Sequence, residues 1–262
     1  MIDTKGDFNS VEFGFDEGVA WLTFNRPDKL NSFTSSMHEE IKEVLDRIQQ
    51  SQDVRCLVIT GNGRGFSAGQ DLGDLDLSAL GDVVEKYYNP LLRSVTSMNI
   101  PVIASVNGVA AGAAANLALA CDIVLAGRSA KFIQSFNHVG LVPDGGGTWT
   151  LPRLIGLSRA TAICMTGEPV SAEKAENWGM IWRCVDDEQL HAETTALAHR
   201  LASQATVGLA YTKKLLRFSQ TRTLDDQLDL ERDFQQAASQ TEDFAEGVDA
   251  FLNKRKPAFK GC

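Results

Sequence analysis

The sequence has no excess of basic charge, no long apolar segment and few cysteines. Of its 262 residues, 25 are Lys or Arg and 34 are Asp or Glu, which gives a net charge of −9. Nucleic-acid binding requires a basic surface, so this balance argues against nucleic acid as a partner. No apolar run approaches the roughly 20 residues of a membrane-spanning helix, and the first residues lack the apolar stretch of a signal peptide. We therefore expect neither a membrane nor a nucleic acid among the partners.

Cysteine and histidine are scattered. The five cysteines lie at wide spacings without a C-x-x-C pair, and the four histidines are not arranged as H-E-x-x-H. This pattern is typical of reduced, mostly buried thiols in a cytoplasmic protein without a metal site. With 44% hydrophobic and 23% charged residues, the chain has the composition of a globular protein with a substantial core.

Strand and helix signals alternate through residues 1–165, and mostly helical signals follow. β-type runs occur at residues 11–15, 19–25, 56–60, 101–106, 122–126 and 181–185. Helical patterns occur after a capping-box spacing at Ser36, at residues 113–121, from Ser171 to about residue 178, and at residues 187–203, 205–219, 224–239 and 241–253. Residues 62–70 are interpreted as a loop. The alternation predicts an α/β core followed by a helical tail.

Two glycine-rich turns follow strand-like runs, at residues 65–72 and 107–116. Small residues let backbone N–H groups approach a ligand closely, and two convergent N–H groups can form an oxyanion hole. A helix that begins at Ala113 would aim free N–H groups and the positive end of its dipole at whatever precedes it. The alternative is that the small residues only permit close helix packing.

Asp144 is a lone carboxylate before three glycines. Such an aspartate is often only a turn residue that binds neighbouring backbone. Here Phe132, Ile133, Phe136 and Trp149 suggest an apolar lining, in which a partly buried carboxylate would have a raised pKa and be a stronger base. An oxyanion hole with such a base would favour enolate chemistry on an acyl group.

Residues 65–69 match G-x-S-x-G, the nucleophile motif of serine hydrolases, with Ser67 at its centre. That motif requires a strand running directly into the serine and a helix directly after it. A loop precedes Ser67 here, and the candidate bases His191 and His199 fall in an exposed-looking helix. We therefore interpret Ser67 as a small loop residue, and a serine hydrolase as an alternative that fluorophosphonate labelling would reveal.

Motifs along the whole chain resemble the crotonase superfamily, also called the enoyl-CoA hydratase/isomerase family. They are Asn25-Arg26-Pro27, the run from Phe66 to Leu72, Asn107-Gly108, Ala120-Cys121-Asp122 and the predicted turn Gly146-Gly147-Thr148. The resemblance implies a spiral of ββα units over residues 1–200 and a C-terminal helical trimerisation region over 201–262, assembled as a homotrimer or a dimer of trimers. Residues 88–91, 178–182, 228–233 and 246–248 look closest to the branch that isomerises ring epoxides of an aromatic acyl-CoA.

The resemblance also implies an acyl-CoA thioester as the substrate, with CoA as part of the substrate and no separate cofactor. The backbone N–H groups of Gln70 and Ala113 would form the oxyanion hole, and Asp144 would be the catalytic base. The implied substrate pocket contains Ala68, Asp71, Phe136, Tyr87 and Tyr88. The implied CoA-binding cations are Arg26, Lys29, Lys254 and Lys256, for which ordinary surface charge is the alternative. His138 is expected to be structural.

Two departures from the family pattern indicate the reaction class. Hydratases of the family activate water with two glutamates, and these positions align with Asn116 and Phe136 here. Neither can act as a general base, whereas one carboxylate suffices for an isomerase because it can return the proton that it takes. The expected function is therefore an acyl-CoA isomerase. The alternatives are an enoyl-CoA hydratase, an aryl-CoA dehalogenase or hydrolase, and a non-catalytic assembly subunit.

Overall fold

Two sheets organise the chain in the computed structural model, which describes residues 2–74 and 79–262. The larger sheet has the order β1-β2-β3-β5-β7-β10. Its strands are β1 (Val11–Asp16), β2 (Val19–Phe24), β3 (Cys56–Gly61), β5 (Val102–Val106), β7 (Ile123–Gly127) and β10 (Arg183–Val185). Strands β1 and β2 form an antiparallel hairpin, and the later neighbours are parallel.

The smaller sheet has the order β4-β6-β8-β9. It contains β4 (Gly65–Ser67), β6 (Val109–Ala111), β8 (Lys131–Ile133) and β9 (Val170–Ser171). Strands β4, β6 and β8 are parallel, and β9 is antiparallel to β8. Successive strands enter the larger and then the smaller sheet, and a helical segment follows each pair. This arrangement confirms the predicted spiral of ββα units.

The helices between strands connect the turns of the spiral. They are α1 (Ser35–Gln50) before β3, α2 (Leu80–Val83) and α3 (Asn89–Ser97) after β4, α4 (Ala113–Ala120) after β6, and α5 (Gly147–Thr166) after β8. A π-helical turn, Val84–Tyr88, joins α2 to α3. Helix α1 buries Met37, Ile41, Val44, Leu45 and Ile48, the helical spacing that the sequence shows.

A C-terminal helical region completes the chain, as predicted. Helix α6 (Ala172–Asn177) lies between β9 and β10, and β10 is followed by α7 (Leu190–Ala202), α8 (Thr206–Phe218), α9 (Leu224–Ala238) and α10 (Glu242–Leu252). Helix α8 is tied to the spiral by Lys213, whose ammonium lies 2.8 Å from the Asp122 carboxylate. The division into domains at residue 200 stays a prediction. Across the described part of the chain, none of the helices is both long and apolar enough to cross a membrane.

Three local expectations were wrong. Residues 62–70 are not only a loop, because they contain the short strand β4. Helix α1 is capped by Thr34, whose Oγ1 accepts from the N–H of Met37 at 3.2 Å, rather than by Ser36. Residues 146–148 do not form a free turn, because α5 begins at Gly147. Of the five cysteines, Cys56 and Cys121 are buried, two are half-buried and Cys262 is exposed.

Candidate active site

Three loops meet at one edge of the smaller sheet. Strands β4, β6 and β8 are parallel neighbours, so their carboxyl ends lie side by side. The loop after β4 carries Gln70, β6 leads through Gly112 into α4, and the chain after β8 continues through Phe136 to Asp144. The topology therefore brings together residues that lie more than 70 positions apart in the sequence.

Gly69 permits the closest contact between these loops. Its φ is +86°, and a Cβ at this position would lie 2.7 Å from the carbonyl oxygen of Ala111 and 3.8 Å from the nitrogen of Ala113. A side chain would therefore suffer both backbone strain and a collision. The glycine lets the loop that carries Gln70 lie directly against the start of α4.

The two N–H groups that the sequence predicts for an oxyanion hole lie on either side of this contact. Ala113 is the first residue of α4, and its N–H has no intrahelical acceptor because the first helical bond runs from Asn116 to the carbonyl of Gly112, at 3.2 Å. Around Gln70, the backbone bonds to Phe33 use the carbonyl of Gly69 and the N–H of Asp71. The N–H of Gln70 itself takes no part in either bond.

Both residues line a cavity of about 220 Å³. The predicted residues Ala68, Tyr88, Phe136 and Asp144 line it as well. The remaining described lining residues were not predicted, and most are apolar: Gly69, Leu72, Leu80, Val83, Val84, Gly112, Ser135, His138, Val139 and Leu141. The sequence feature that could have identified these lining residues is their position, since they lie in the segments that follow β4, β6 and β8 along the chain.

Asp144 presents its carboxylate to the cavity from a half-buried position. Its Oδ1 atom is buried and has no hydrogen-bond partner among the described residues. Burial raises the pKa of this carboxyl from its ordinary value of 3.8 to about 6. The group is therefore a stronger base than an ordinary aspartate and is still mostly ionised at neutral pH.

Asn116 holds the loop that carries Asp144. Its Nδ2 donates to the carbonyl oxygen of Asp144 at 2.7 Å, and its Oδ1 accepts from Nε2 of Gln134 at 2.9 Å. The N–H of Gly147 donates to the same carbonyl of Asp144 at 3.0 Å. Asn116 is almost completely buried, so its amide is a structural support of the loop rather than a group that faces the cavity.

The other predicted site residues lie outside the lining of this cavity. The Asp71 carboxylate pairs with Arg26 at 3.1 Å, and Tyr87 stacks on His38 with ring centroids 5.1 Å apart. Lys29, Lys254 and Lys256 are exposed, and their role in CoA binding stays a prediction. Of the expected apolar lining, Phe132 is a core residue and Trp149 lies under the Arg153 guanidinium, 4.2 Å from ring centroid to Cζ.

Ser67 has a structural environment. The side chain is fully buried, its Oγ donates to the carbonyl of Asn31 at 2.7 Å, and it accepts from the N–H of Gly69 at 3.2 Å. The hydroxyl therefore helps to shape the chain that leads to Gln70, which is a structural role. Ser67 is the last residue of strand β4, so the expectation that it lies in a loop and follows a loop was wrong. Within residues 2–74 and 79–262, no three His, Cys, Asp or Glu side chains are grouped so that they could hold a metal ion.

Comparisons with known proteins identify the family of the chain. The family profile described as Enoyl-CoA hydratase/isomerase matches residues 14–262. The 1,2-epoxyphenylacetyl-CoA isomerase of Escherichia coli K12 is 50% identical over 94% of this chain and 96% of its own length. The 2,3-dehydroadipyl-CoA hydratase of the same organism is 34% identical over 93% and 95%.

A solved structure shows the same architecture. Enoyl-CoA hydratase from Bacillus anthracis matches with a TM-score of 0.93 at 28% identity, and the match covers 97% of this chain and 100% of that one. The chain therefore belongs to the enoyl-CoA hydratase/isomerase family, the crotonase superfamily.

Proposed function

We propose that this protein is an acyl-CoA isomerase that works through an enolate and a single aspartate base. One observation carries the proposal: among the described residues that line the cavity of Gln70 and Ala113, Asp144 is the only carboxylate. Water addition requires one group to activate water and another to deliver a proton. A carboxylate that only moves a proton within the substrate needs no second carboxylate.

The reaction would begin with polarisation of the thioester. The N–H groups of Gln70 and Ala113 would bind the carbonyl oxygen, and the dipole of α4 would stabilise the negative charge that develops on it. Asp144 would then remove a proton from C2 of a 3-enoyl-CoA and deliver it to C4, which gives the conjugated 2-enoyl-CoA. One proton leaves C2 and one proton is delivered to C4, so product and substrate are isomers. Phe136 would keep water from the enolate.

The same machinery suits a ring epoxide. Removal of the proton next to the thioester carbonyl of ring-1,2-epoxyphenylacetyl-CoA would give an enolate. Its electrons would open the epoxide C–O bond at the ring carbon that bears the side chain, and ring expansion to oxepin-CoA would follow with return of the proton. The 50% identity to 1,2-epoxyphenylacetyl-CoA isomerase supports this substrate. We accordingly propose a role in aerobic phenylacetate catabolism.

Turnover of a 3-enoyl-CoA distinguishes this function from hydration. We expect the wild type to form the conjugated 2-enoyl-CoA, followed by its ultraviolet absorbance, without 3-hydroxyacyl-CoA in the chromatographed products. The physical reason is that the amide of Asn116 is bound to Asp144 and Gln134 and Phe136 carries no base. Accumulation of the hydrated product at a comparable rate would contradict the proposal and support the hydratase alternative.

The pH profile should report the ionisation of Asp144. A general base must be ionised, so kcat/KM should be constant above the carboxyl pKa and fall as the pH drops through about 6. The decline should approach tenfold per pH unit below that point. Measuring kcat/KM from pH 4.5 to 8 in buffers of constant ionic strength tests this expectation. A midpoint near 4, the ordinary value of an aspartate, would contradict it.

One observation favours a second candidate. His138 lines the cavity with Asp144, so the prediction of a purely structural role for this histidine is open to a chemical alternative. An aryl-CoA dehalogenase would use the aspartate as a nucleophile and the histidine as a base. Phe136 offers such an aspartate no hydrogen bond, and Oδ1 of Asp144 has no partner among the described residues. Chloride release from 4-chlorobenzoyl-CoA would support this candidate, and we expect none.

The remaining proposals concern the setting of the enzyme. CoA enters as part of the substrate, and the proposed proton transfers require no separate cofactor.

We propose a homotrimer or a dimer of trimers, for which the exposed apolar residues Leu224, Leu228, Phe251 and Leu252 on α9 and α10 offer a surface. The wide cysteine spacing supports a cytoplasmic location. Sedimentation at several concentrations tests the assembly state.

A further inference from the structure

The side chain of Gln70 is fixed at both ends of its amide. Its Nε2 donates to the carbonyl oxygen of Phe33 at 3.0 Å and to that of Asp71 at 3.2 Å. Its Oε1 accepts a 2.6 Å hydrogen bond from the hydroxyl of Tyr88. Gln70, which lines the cavity, is therefore held through its own side chain as well as through the backbone bonds around it.

Tyr88 is itself rigidly placed. It ends the π-helical turn Val84–Tyr88, and only 2% of its surface is exposed. Its ring packs edge-on against His38 at 4.6 Å and against Phe33 at 6.2 Å between centroids. Burial and the nearby Asp144 carboxylate both raise the pKa of the phenol, so the hydroxyl stays protonated and donates to Gln70.

We propose that Tyr88 is a positioning residue, whose hydroxyl bond to Gln70 aims the backbone N–H of that residue at the thioester oxygen. The inference rests on the proposed function, since it assumes that this N–H binds the oxygen. An oxyanion-hole donor contributes most when it is already aligned with the charge that develops. Without the hydroxyl bond, the amide of Gln70 loses one of its anchors, and the loop gains freedom to rotate the N–H away.

The link also connects the π-helical turn to the loop that follows β4. The π-helical turn contributes Val84 and Tyr88 to the cavity wall, and α2 contributes Leu80 and Val83. An acyl group in the cavity would therefore contact the segment that orients Gln70. Proper filling of the pocket and polarisation of the thioester are thereby coupled through one hydrogen bond.

Tyr88→Phe removes the hydroxyl and keeps the ring. We expect kcat for 3-enoyl-CoA isomerisation to fall about tenfold, less than the loss from deleting a donor, with KM within about twofold. The absorbance maximum of bound cinnamoyl-CoA, a conjugated thioester, should shift to the red less than in the wild type because its carbonyl is less polarised. Tyr211→Phe is the control, because Tyr211 stacks on Phe234 in the C-terminal helices and should change neither quantity.

A double-mutant cycle tests whether the hydroxyl acts through Gln70. Gln70→Leu keeps the backbone N–H and removes the amide, so it should produce a similar loss, and adding Tyr88→Phe should lower kcat by less than about twofold more. A full further tenfold loss in the double variant, or unchanged kcat and red shift in Tyr88→Phe, would overturn the proposal. If the wild type shifts the spectrum of cinnamoyl-CoA but isomerises nothing, the proposed function fails while the spectral comparison still tests Tyr88.

Discussion

Replacing Asp144 with asparagine should lower kcat for isomerisation by about a thousandfold. A positioned general base typically contributes 10²–10⁴-fold, and Asp144 is the only carboxylate among the described lining residues of the cavity. Asparagine has a similar shape, and the loop bond from Asn116 reaches the backbone carbonyl of residue 144 rather than its side chain. The variant should therefore keep the geometry of the site and lose only the base. Initial rates with 3-enoyl-CoA, followed by ultraviolet absorbance, measure the effect.

Thermal unfolding supplies the control, because the substitution that lowers kcat should raise the stability of the folded protein. A buried carboxyl with a raised pKa does not lower the free energy of unfolding at a pH below 3.8, its pKa in the unfolded chain. The loss of stability grows as the pH rises from 3.8 to about 6, the pKa in the folded protein. At pH 7 the penalty amounts to about 2–3 kcal/mol. Asp144→Asn should thus unfold at a higher temperature than the wild type at pH 7, with the difference vanishing near pH 4. Retained activity in a folded variant would exclude Asp144 as the base.

Ala113→Pro should lower kcat by about 10²–10³-fold, the usual effect of deleting one oxyanion-hole donor. Proline lacks the N–H, yet it is well tolerated at the first residue of a helix, and Ala113 holds that position in α4. The preceding Gly112 has φ 55° and ψ −130°, the mirror image of the extended backbone that residues before proline adopt. The helix should therefore still form.

Ala113→Gly is the matched control for this substitution. It also changes the first residue of α4 but keeps the N–H, so its kcat should stay within a few-fold of the wild type. The red shift of bound cinnamoyl-CoA should be lost in Ala113→Pro and kept in Ala113→Gly. Equal kcat values for the two variants would show that the N–H of Ala113 does not stabilise the enolate.

The motifs predicted the family and the position of Asp144 more readily than the architecture around them. Strands β4, β6 and β8 have three residues each, too few for a β-type alternation to be recognised. The corresponding strands of the larger sheet begin at Cys56, Val102 and Ile123, and these unequal intervals hide the structural repeat from a search for a fixed period. Pairing between distant segments, rather than local propensity, defines the smaller sheet.

The sequence also could not predict which single residues line the cavity. Tyr87 and Tyr88 are adjacent and were both expected in the pocket, but only Tyr88 is among its described lining residues. Tyr87 instead stacks on His38 on the side of α1. Which neighbour faces the substrate depends on the π-helical turn that contains both, and a single extra residue in a helical turn leaves little trace in composition or spacing.

The hydrogen bonds of Asn116 constrain how this enzyme could evolve. A single change to glutamate would introduce the water-activating group that the family resemblance implies for hydratases at this position, but it would also remove the amide donor that holds the carbonyl of Asp144. A glutamate oxygen could still accept from Gln134, yet nothing on that side chain would replace the lost donor while it is ionised. Under the proposed function, a step towards hydration would thus weaken isomerisation before a second substitution at Phe136 could complete the pair of glutamates. We therefore expect strong epistasis between these positions, with a single variant that performs neither reaction well.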